Sequence, residues 1–229
     1  MKNKILKPKK LSSSEKLSRM KKAIKLTQIG LTTARKKLRA GITEIQLAAS
    51  IENSMRLAGA TWFAFPSIVC SSKFINIHAT PSKRKIRASD TVIVDIGAQY
   101  KGVCADMTRT FCLYPTKKTH DLYNLVKRAH DESAKFLGPR VRCSLIDKIA
   151  RQIISKAGYK IPHGLGHGVG VKVHERPSLK PRSQHILKIG DVVTIEPGVY
   201  LSNRGVRIED MYLITKKGAK KLTNFPRKL

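Results

Sequence analysis

Apolar residues recur at helical spacing from Lys16 to about Arg39, at Leu17, Met20, Ile24, Leu31, Ala34 and Leu38. Gly41 interrupts that period, and Thr43 is placed to cap a second helix running to about Leu57, which Gly59 ends. The period then shortens. Phe63–Cys70 is a brief apolar run broken by Pro66, as in a kinked or edge strand. A polar connection, Ser71–Ser89, carries His78, Pro81 and a basic cluster. Thr91–Ile96 and Val103–Leu113 read as strands joined around Lys101 and Gly102. The order then begins again, with helices over Thr119–Leu137 and Ser144–Ala157 and a stop at Gly158. A glycine- and histidine-rich segment follows, then strands near Val192–Glu196 and Val206–Thr215.

Helix, helix, strand and hairpin thus occur twice, which predicts an α+β fold of two similar halves, about 16–114 and 115–229, forming one domain. Their strands are expected to pool into one curved antiparallel sheet covered by helices on one face. Residues 1–15, with Pro8 and three consecutive serines, read as a flexible basic arm.

Acids fall at matching places in the two halves. Asp90 and Asp95 are spaced as Asp191 and Glu196 are; Gly97 and Gly198 follow two residues later. Asp106 and Glu209 come on the next strand of each half. Asp95 ends the β-branched run TVIV, where a carboxylate needs a partner or a cation. Four carboxylates gathered where the halves meet would resist ionisation, and two divalent cations would neutralise them. Beside them the segment HGLGHGVGVKVHERP places His163, His167 and His174 among glycines that exclude a stable helix and allow close backbone approach. It is therefore no helical HExxH zinc site and no phosphate loop. Three histidines there suggest one ligand and two groups that handle substrate or protons. His120, His130 and His185 read as surface residues.

Charge changes the picture in one respect. With 46 Lys and Arg against 15 Asp and Glu, the chain carries a formal net charge of +31. Such a field attracts polyanions, and nucleic acid or the ribosome is the partner class it suggests; no RNA-binding motif accompanies it. No apolar run approaches a membrane span, and the N-terminal stretch does not read as a secretory signal. Four cysteines without CxxC or zinc spacing read as reduced thiols, and the expected location is the cytoplasm.

The stretches FPSIV, DIGAQYKGVCADMTRTF, HGLGHGVGVKVHERP, TIEPGVY and GVRIED resemble the pita-bread metallopeptidases, over about Lys16 to Leu222. The wording is nearest the Xaa-Pro aminopeptidase (aminopeptidase P) and prolidase branch. The resemblance implies that Asp95, Asp106, His167, Glu196 and Glu209 hold two divalent metals, with Asp106 and Glu209 bridging. Manganese suits this oxygen-rich set; cobalt, iron or zinc would be tolerated. A water activated by both metals would be the nucleophile and Glu196 its proton acceptor. His78 and His174 would stabilise the tetrahedral intermediate, His163 would shape the substrate pocket, and Arg207 would orient a carboxylate ligand.

Two departures bear on substrate choice. Full-length members of that branch carry an extra N-terminal domain where this chain has only its basic arm, and Val103-Cys104-Ala105 replaces the more usual Tyr-x-Ser before the second acid. The implied activity is removal of an N-terminal residue preceding proline from peptides with a free amino terminus. Methionine aminopeptidase activity, dipeptide-only prolidase activity and a non-catalytic RNA- or ribosome-binding role are the alternatives. Nothing in the chain fixes an oligomeric state.

Overall fold

The computed structural model describes residues 11–72 and 77–229. Most of the proposed basic arm and part of the connection before His78 lie outside them. Helix α1 spans Ser13–Lys37, starting three residues before the expected boundary. The serines are not linker: Ser12 accepts from the Glu15 amide and Glu15 reaches back to the Ser12 amide, a capping box that satisfies two otherwise orphaned donors. Helix α2, Glu44–Leu57, starts on a second box made by Thr43 and Gln46.

The first half continues with β1 (Trp62–Phe63), β2 (Ile68–Ser71), β3 (Val92–Ile96), β4 (Ala98–Tyr100), β5 (Val103–Cys104) and β6 (Met107–Phe111). Pro66 falls between β1 and β2, and β2 is an edge strand of the ladder β2-β3-β6, as the proline suggested. In the β4–β5 turn, Lys101 and Gly102 both have positive φ, the backbone that suits a tight hairpin.

The second half repeats the order. Helix α3 is Lys117–Ala134 and α4 is Cys143–Lys156. Strands β7 (Gly166–Gly168), β8 (Glu175–Leu179), β9 (Val192–Ile195), β10 (Gly198–Leu201), β11 (Arg204–Arg207), β12 (Asp210–Thr215) and β13 (Gly218–Lys221) follow. The duplication extends to single hydrogen bonds. Thr43 bridges Lys85 as Arg142 bridges Ile186, and the Asp90 and Asp191 carboxylates each accept from the amide three residues earlier. These two mirrored acids are turn residues outside the cluster.

Hydrogen bonding divides the strands into ladders of three, two, five and three. The halves are stitched together along β6 and β11. There the Glu209 amide donates to the Thr108 carbonyl (3.1 Å), and the Thr110 hydroxyl donates to the Arg207 carbonyl (2.9 Å). One core lies mainly under α1 and α2, the other under α3 and α4. Strand β3 is buried along its whole length because its two faces meet helices and the cleft, which explains its unalternating apolar run. None of the described helices is long and apolar enough to cross a membrane.

Candidate metal centre

Each candidate ligand sits at a strand boundary or inside a short central strand. Asp95 lies near the end of β3, between Ile68 on β2 and Thr108 on β6. Asp106 immediately precedes β6, Glu196 follows β9, and Glu209 occupies the two-residue break between β11 and β12. His167 is the middle residue of β7, where the ladder to β8 shifts register. Gly166 and Gly97 let the backbone come this close. A Cβ on Gly166 would collide with the Thr194 carbonyl, and one on Gly97 with the Ala105 carbonyl.

The five side chains meet in a cleft of 550 Å³ that His78, His163 and His174 also line. Donor atoms of Asp95, Asp106 and Glu209 lie within 4.8 Å of one another, as do those of His167, Glu196 and Glu209. His167 Nδ1 faces the Gly168 carbonyl at 3.1 Å and donates to it. Its Nε2 is thereby turned toward Glu196 Oε1 (3.4 Å) and Asp106 Oδ2 (3.6 Å). His174 shares a further triple with Asp106 and His167 but is exposed, its ring edge-on to His167 with centroids 4.4 Å apart. His78 is exposed at the same mouth.

Electrostatics mark the cluster as incomplete without positive charge. Burial, followed by the charges of Glu209, Asp95 and Glu196, pushes the Asp106 carboxyl well above the ordinary range. Burial and the charges of Glu196 and Asp95 do the same to Glu209. Burial also opposes ionisation of Glu196, but its hydrogen bond and charge pairing with His167 outweigh it and bring it below the usual value. The same pairing raises His167 against its burial. Asp95 Oδ1 and Glu209 Oε1 are buried with no hydrogen-bond partner among the described residues. Two orphaned carboxylate oxygens beside a histidine nitrogen are a donor set that fits hard or borderline divalent cations.

A second layer holds these ligands. Arg207 is 1% exposed. It donates through Nη2 to Asp95 Oδ2 (2.6 Å), through Nη1 to the Tyr200 hydroxyl (2.7 Å) and through Nε to Thr108 Oγ1 (3.3 Å). Thr108 in turn donates to Glu209 Oε2 at 2.9 Å. Tyr200 donates to His163 Nε2 (2.8 Å), whose Nδ1 is committed to the Gly164 carbonyl. Burial keeps His163 below its usual pKa and so neutral; burial and the charge of His167 depress His174 as well.

The structure therefore brings together all nine residues singled out in the sequence. It adds Thr108 and Tyr200, which sequence reasoning missed, although both lie within quoted motifs, DMTRTF and EPGVY. Of the histidines taken as surface residues, His120 is exposed and His185 half-buried. His130 is fully buried, 3.4 Å from Asp210, because α3 turns it onto the charge network under β12 rather than to solvent.

A family model described as metallopeptidase family M24 matches residues 18–216. An uncharacterized peptidase of Methanocaldococcus jannaschii is 45% identical over 188 residues, 80% of this chain and 54% of that protein. A Xaa-Pro dipeptidase of Pyrococcus furiosus is 35% identical over 96% of this chain and 64% of its own length. Among solved structures, the prolidase from Pyrococcus furiosus superposes with a TM-score of 0.91 at 36% identity, over 93% of this chain and 65% of that one. The X-Pro aminopeptidase from Thermotoga maritima gives 0.91 at 32% identity, over 95% and 63%. The chain thus spans roughly half to two thirds of the length of these relatives. The duplicated halves, the cleft between them and the matched stretch agree on one conclusion: this chain belongs to metallopeptidase family M24 and has its pita-bread fold.

Proposed function

We propose that the protein is a dinuclear metal-dependent aminopeptidase that removes an N-terminal residue preceding proline. The observation that carries this reading is the convergence of Asp95, Asp106, His167, Glu196 and Glu209, with two buried carboxylate oxygens left without partners. These five residues would hold two divalent cations, with manganese the best match to one nitrogen among oxygens. When bound, such cations supply Lewis acidity and an acidified water.

The chain's own groups do the rest. Glu196 is ionised beside His167 and is the acceptor for the proton of the attacking water. With the cations held, the cluster's negative charge is balanced, and the substrate's free terminal amine would be received by a cation there. His174 and His78 line the mouth of the cleft and would donate to the carbonyl oxygen as it gains charge. His163, neutral and tied to Tyr200, gives the pocket a fixed wall. Phe65 and Pro66 supply apolar lining for a proline ring.

Cleavage of Xaa-Pro dipeptides is the second reading. It is favoured by the names of the Pyrococcus relatives and by Lys180, an exposed cleft residue that makes no ion pair among the described residues and offers a counter-charge for a substrate carboxylate. Hydrolysis of Arg-Pro-Pro, Arg-Pro and Met-Ala peptides, with manganese and with chelator, separates the readings. Manganese-dependent release of Arg from the tripeptide supports the aminopeptidase. Cleavage of Arg-Pro alone makes it a dipeptidase, and cleavage of Met-Ala alone moves it to methionine aminopeptidases. Silence on all three with metal bound rejects the peptidase reading and leaves a non-catalytic role.

A further inference from the structure

Helix α2 begins with a buried carboxylate that the metal centre does not use. Glu44 is 0% exposed and does not line the cleft. It accepts four hydrogen bonds, all from uncharged donors. Its Oε1 takes the Ser71 amide (2.8 Å) and the Ser71 hydroxyl (2.6 Å). Its Oε2 takes the Ser82 amide (3.1 Å) and the Ser82 hydroxyl (2.6 Å). A carboxylate that has lost its hydration needs each of these donors. The helix backbone adds to the grip: the Glu44 amide donates to the Arg84 carbonyl and the Ile45 amide to the Ser82 carbonyl.

The two oxygens join the base of one chain segment. Ser71 ends β2, the strand whose Ile68 lies opposite Asp95. Ten residues, 72–81, separate it from Ser82. That segment supplies His78, Ala79, Thr80 and Pro81 to the wall of the cleft. Asp90 closes the same base again. It accepts from the Ser72 hydroxyl (2.7 Å) and from Arg84 (2.6 Å), and Arg84 also donates to the Ser71 hydroxyl. Two acids thus fasten the point where the chain leaves the sheet to the point where it returns.

The second half of the chain serves as a control. Cys143 stands where Glu44 does, as the first residue of its helix, and its amide donates to the His185 carbonyl as that of Glu44 does to Arg84. Only five residues, 180–184, lie between β8 and His185. This short segment closes on itself: the Ser183 hydroxyl donates to the Ser178 carbonyl, and the Ser178 amide to His185 Nδ1. Asp191, the counterpart of Asp90, accepts from the Lys188 amide and from no side chain among the described residues. The acids are recruited to the base in the half whose segment is long and carries a cleft histidine.

We infer that Glu44 is a positioning residue, which holds His78 at the mouth of the cleft by clasping both ends of segment 72–81. The inference rests on the peptidase reading, in which His78 donates to the carbonyl oxygen. A segment released at one end samples more conformations. A group displaced by about 1 Å from its productive place costs up to about a hundredfold in rate.

The test is Glu44→Gln, which keeps the shape but turns an NH2 group toward two of the four donors. In hydrogen exchange, the Ser71 and Ser82 amides should lose protection. The kcat should fall roughly 10–100-fold with KM held within about twofold, because a bond made only in the transition state is lost. Calorimetric manganese affinity should stay unchanged, since no candidate ligand is altered. Ser82→Ala, at an exposed residue, should lower kcat less, and Ser82→Thr, which keeps the hydroxyl, should retain turnover. In a His78→Ala background, Glu44→Gln should cost no further kcat, because both changes remove the same donor. A full further fall there, unchanged turnover in Glu44→Gln, or a parallel loss of manganese affinity would overturn the assignment. Hydrogen exchange needs no substrate. Retained protection at both amides therefore rejects the clasp even where the unaltered chain cleaves no peptide, whereas that silence rejects the peptidase reading.

Discussion

Arg207 donates to Asp95 Oδ2 at 2.6 Å, so a guanidinium from one half fixes a candidate ligand of the other. Its remaining contacts, to Tyr200 and Thr108, use the other two nitrogens. Lysine keeps the charge, but its three donors share one nitrogen and do not reproduce a fork that meets three acceptors from three separate nitrogens. Arg207→Lys should lower kcat/KM by roughly 10–100-fold, with a parallel fall in metal affinity. Steady-state kinetics and calorimetric manganese titration check this. Unchanged values in both would remove Arg207 from the positioning layer.

The raised pKa of Glu209 has a definite sign for stability. In the metal-free protein this carboxyl holds its proton to higher pH when folded than when unfolded. The folded state therefore binds more protons between the ordinary carboxylate value and the raised one, and stability falls as pH rises through that window. Glu209→Gln removes the charge. In chelator near neutral pH it should melt roughly 2–4 °C above the unaltered protein for each kcal/mol of relieved repulsion. The difference should shrink as pH falls to the ordinary carboxylate range. Added manganese should reverse the order by stabilising only the unaltered chain. A melting series across pH, with and without metal, reads all three outcomes.

Gly166→Ala puts a methyl group into the Thr194 carbonyl beside His167. Backbone is what it meets, so the strain has no flexible side chain to absorb it. The expected cost is about 1–3 kcal/mol in urea unfolding, accompanied by loss of turnover as β7 shifts. Gly41→Ala, where nothing lies within 4 Å, strains only a positive φ and should leave activity intact.

The two similar halves and the convergence of their acids were legible because duplication prints itself twice: Asp95 and Glu196 each end an apolar strand and are each followed two residues later by glycine, and chance rarely does that. The finer divisions were not. Val206–Thr215 reads as one strand, yet it breaks at Ile208 and Glu209. Both sides of that break are buried, so no polar residue flags it. The start of α1 was printed in the Ser12–Glu15 capping pattern and was masked by the look of a serine-rich linker. His130 touches its neighbour Asp131, but two of its other partners, Asp210 and Arg227, lie 80 and 97 residues away. Pairings of that range are decided by how α3, β12 and the C-terminal residues pack together, and no local pattern records it.

Arg109 is the other buried guanidinium, and all of its donors are engaged. Nη1 donates to the Thr108 and Glu209 carbonyls, Nη2 to Asp210 Oδ1 and the Phe225 carbonyl, and Nε to the Pro226 carbonyl. It thereby ties the C-terminal residues to the backbone of Glu209. Asp210 is fully buried, and Arg109, His130 and Lys221 hold its carboxyl below the ordinary range against that burial. Arg109→Met would leave part of this charge uncompensated, so the loss should be about 3–5 kcal/mol in chemical denaturation. Adding Asp210→Leu removes the stranded charge and should recover part of the stability. It should not restore turnover, because the Glu209 carbonyl would still lack its donor. Full recovery of both stability and activity in the double variant would mean that Arg109 serves only to neutralise Asp210.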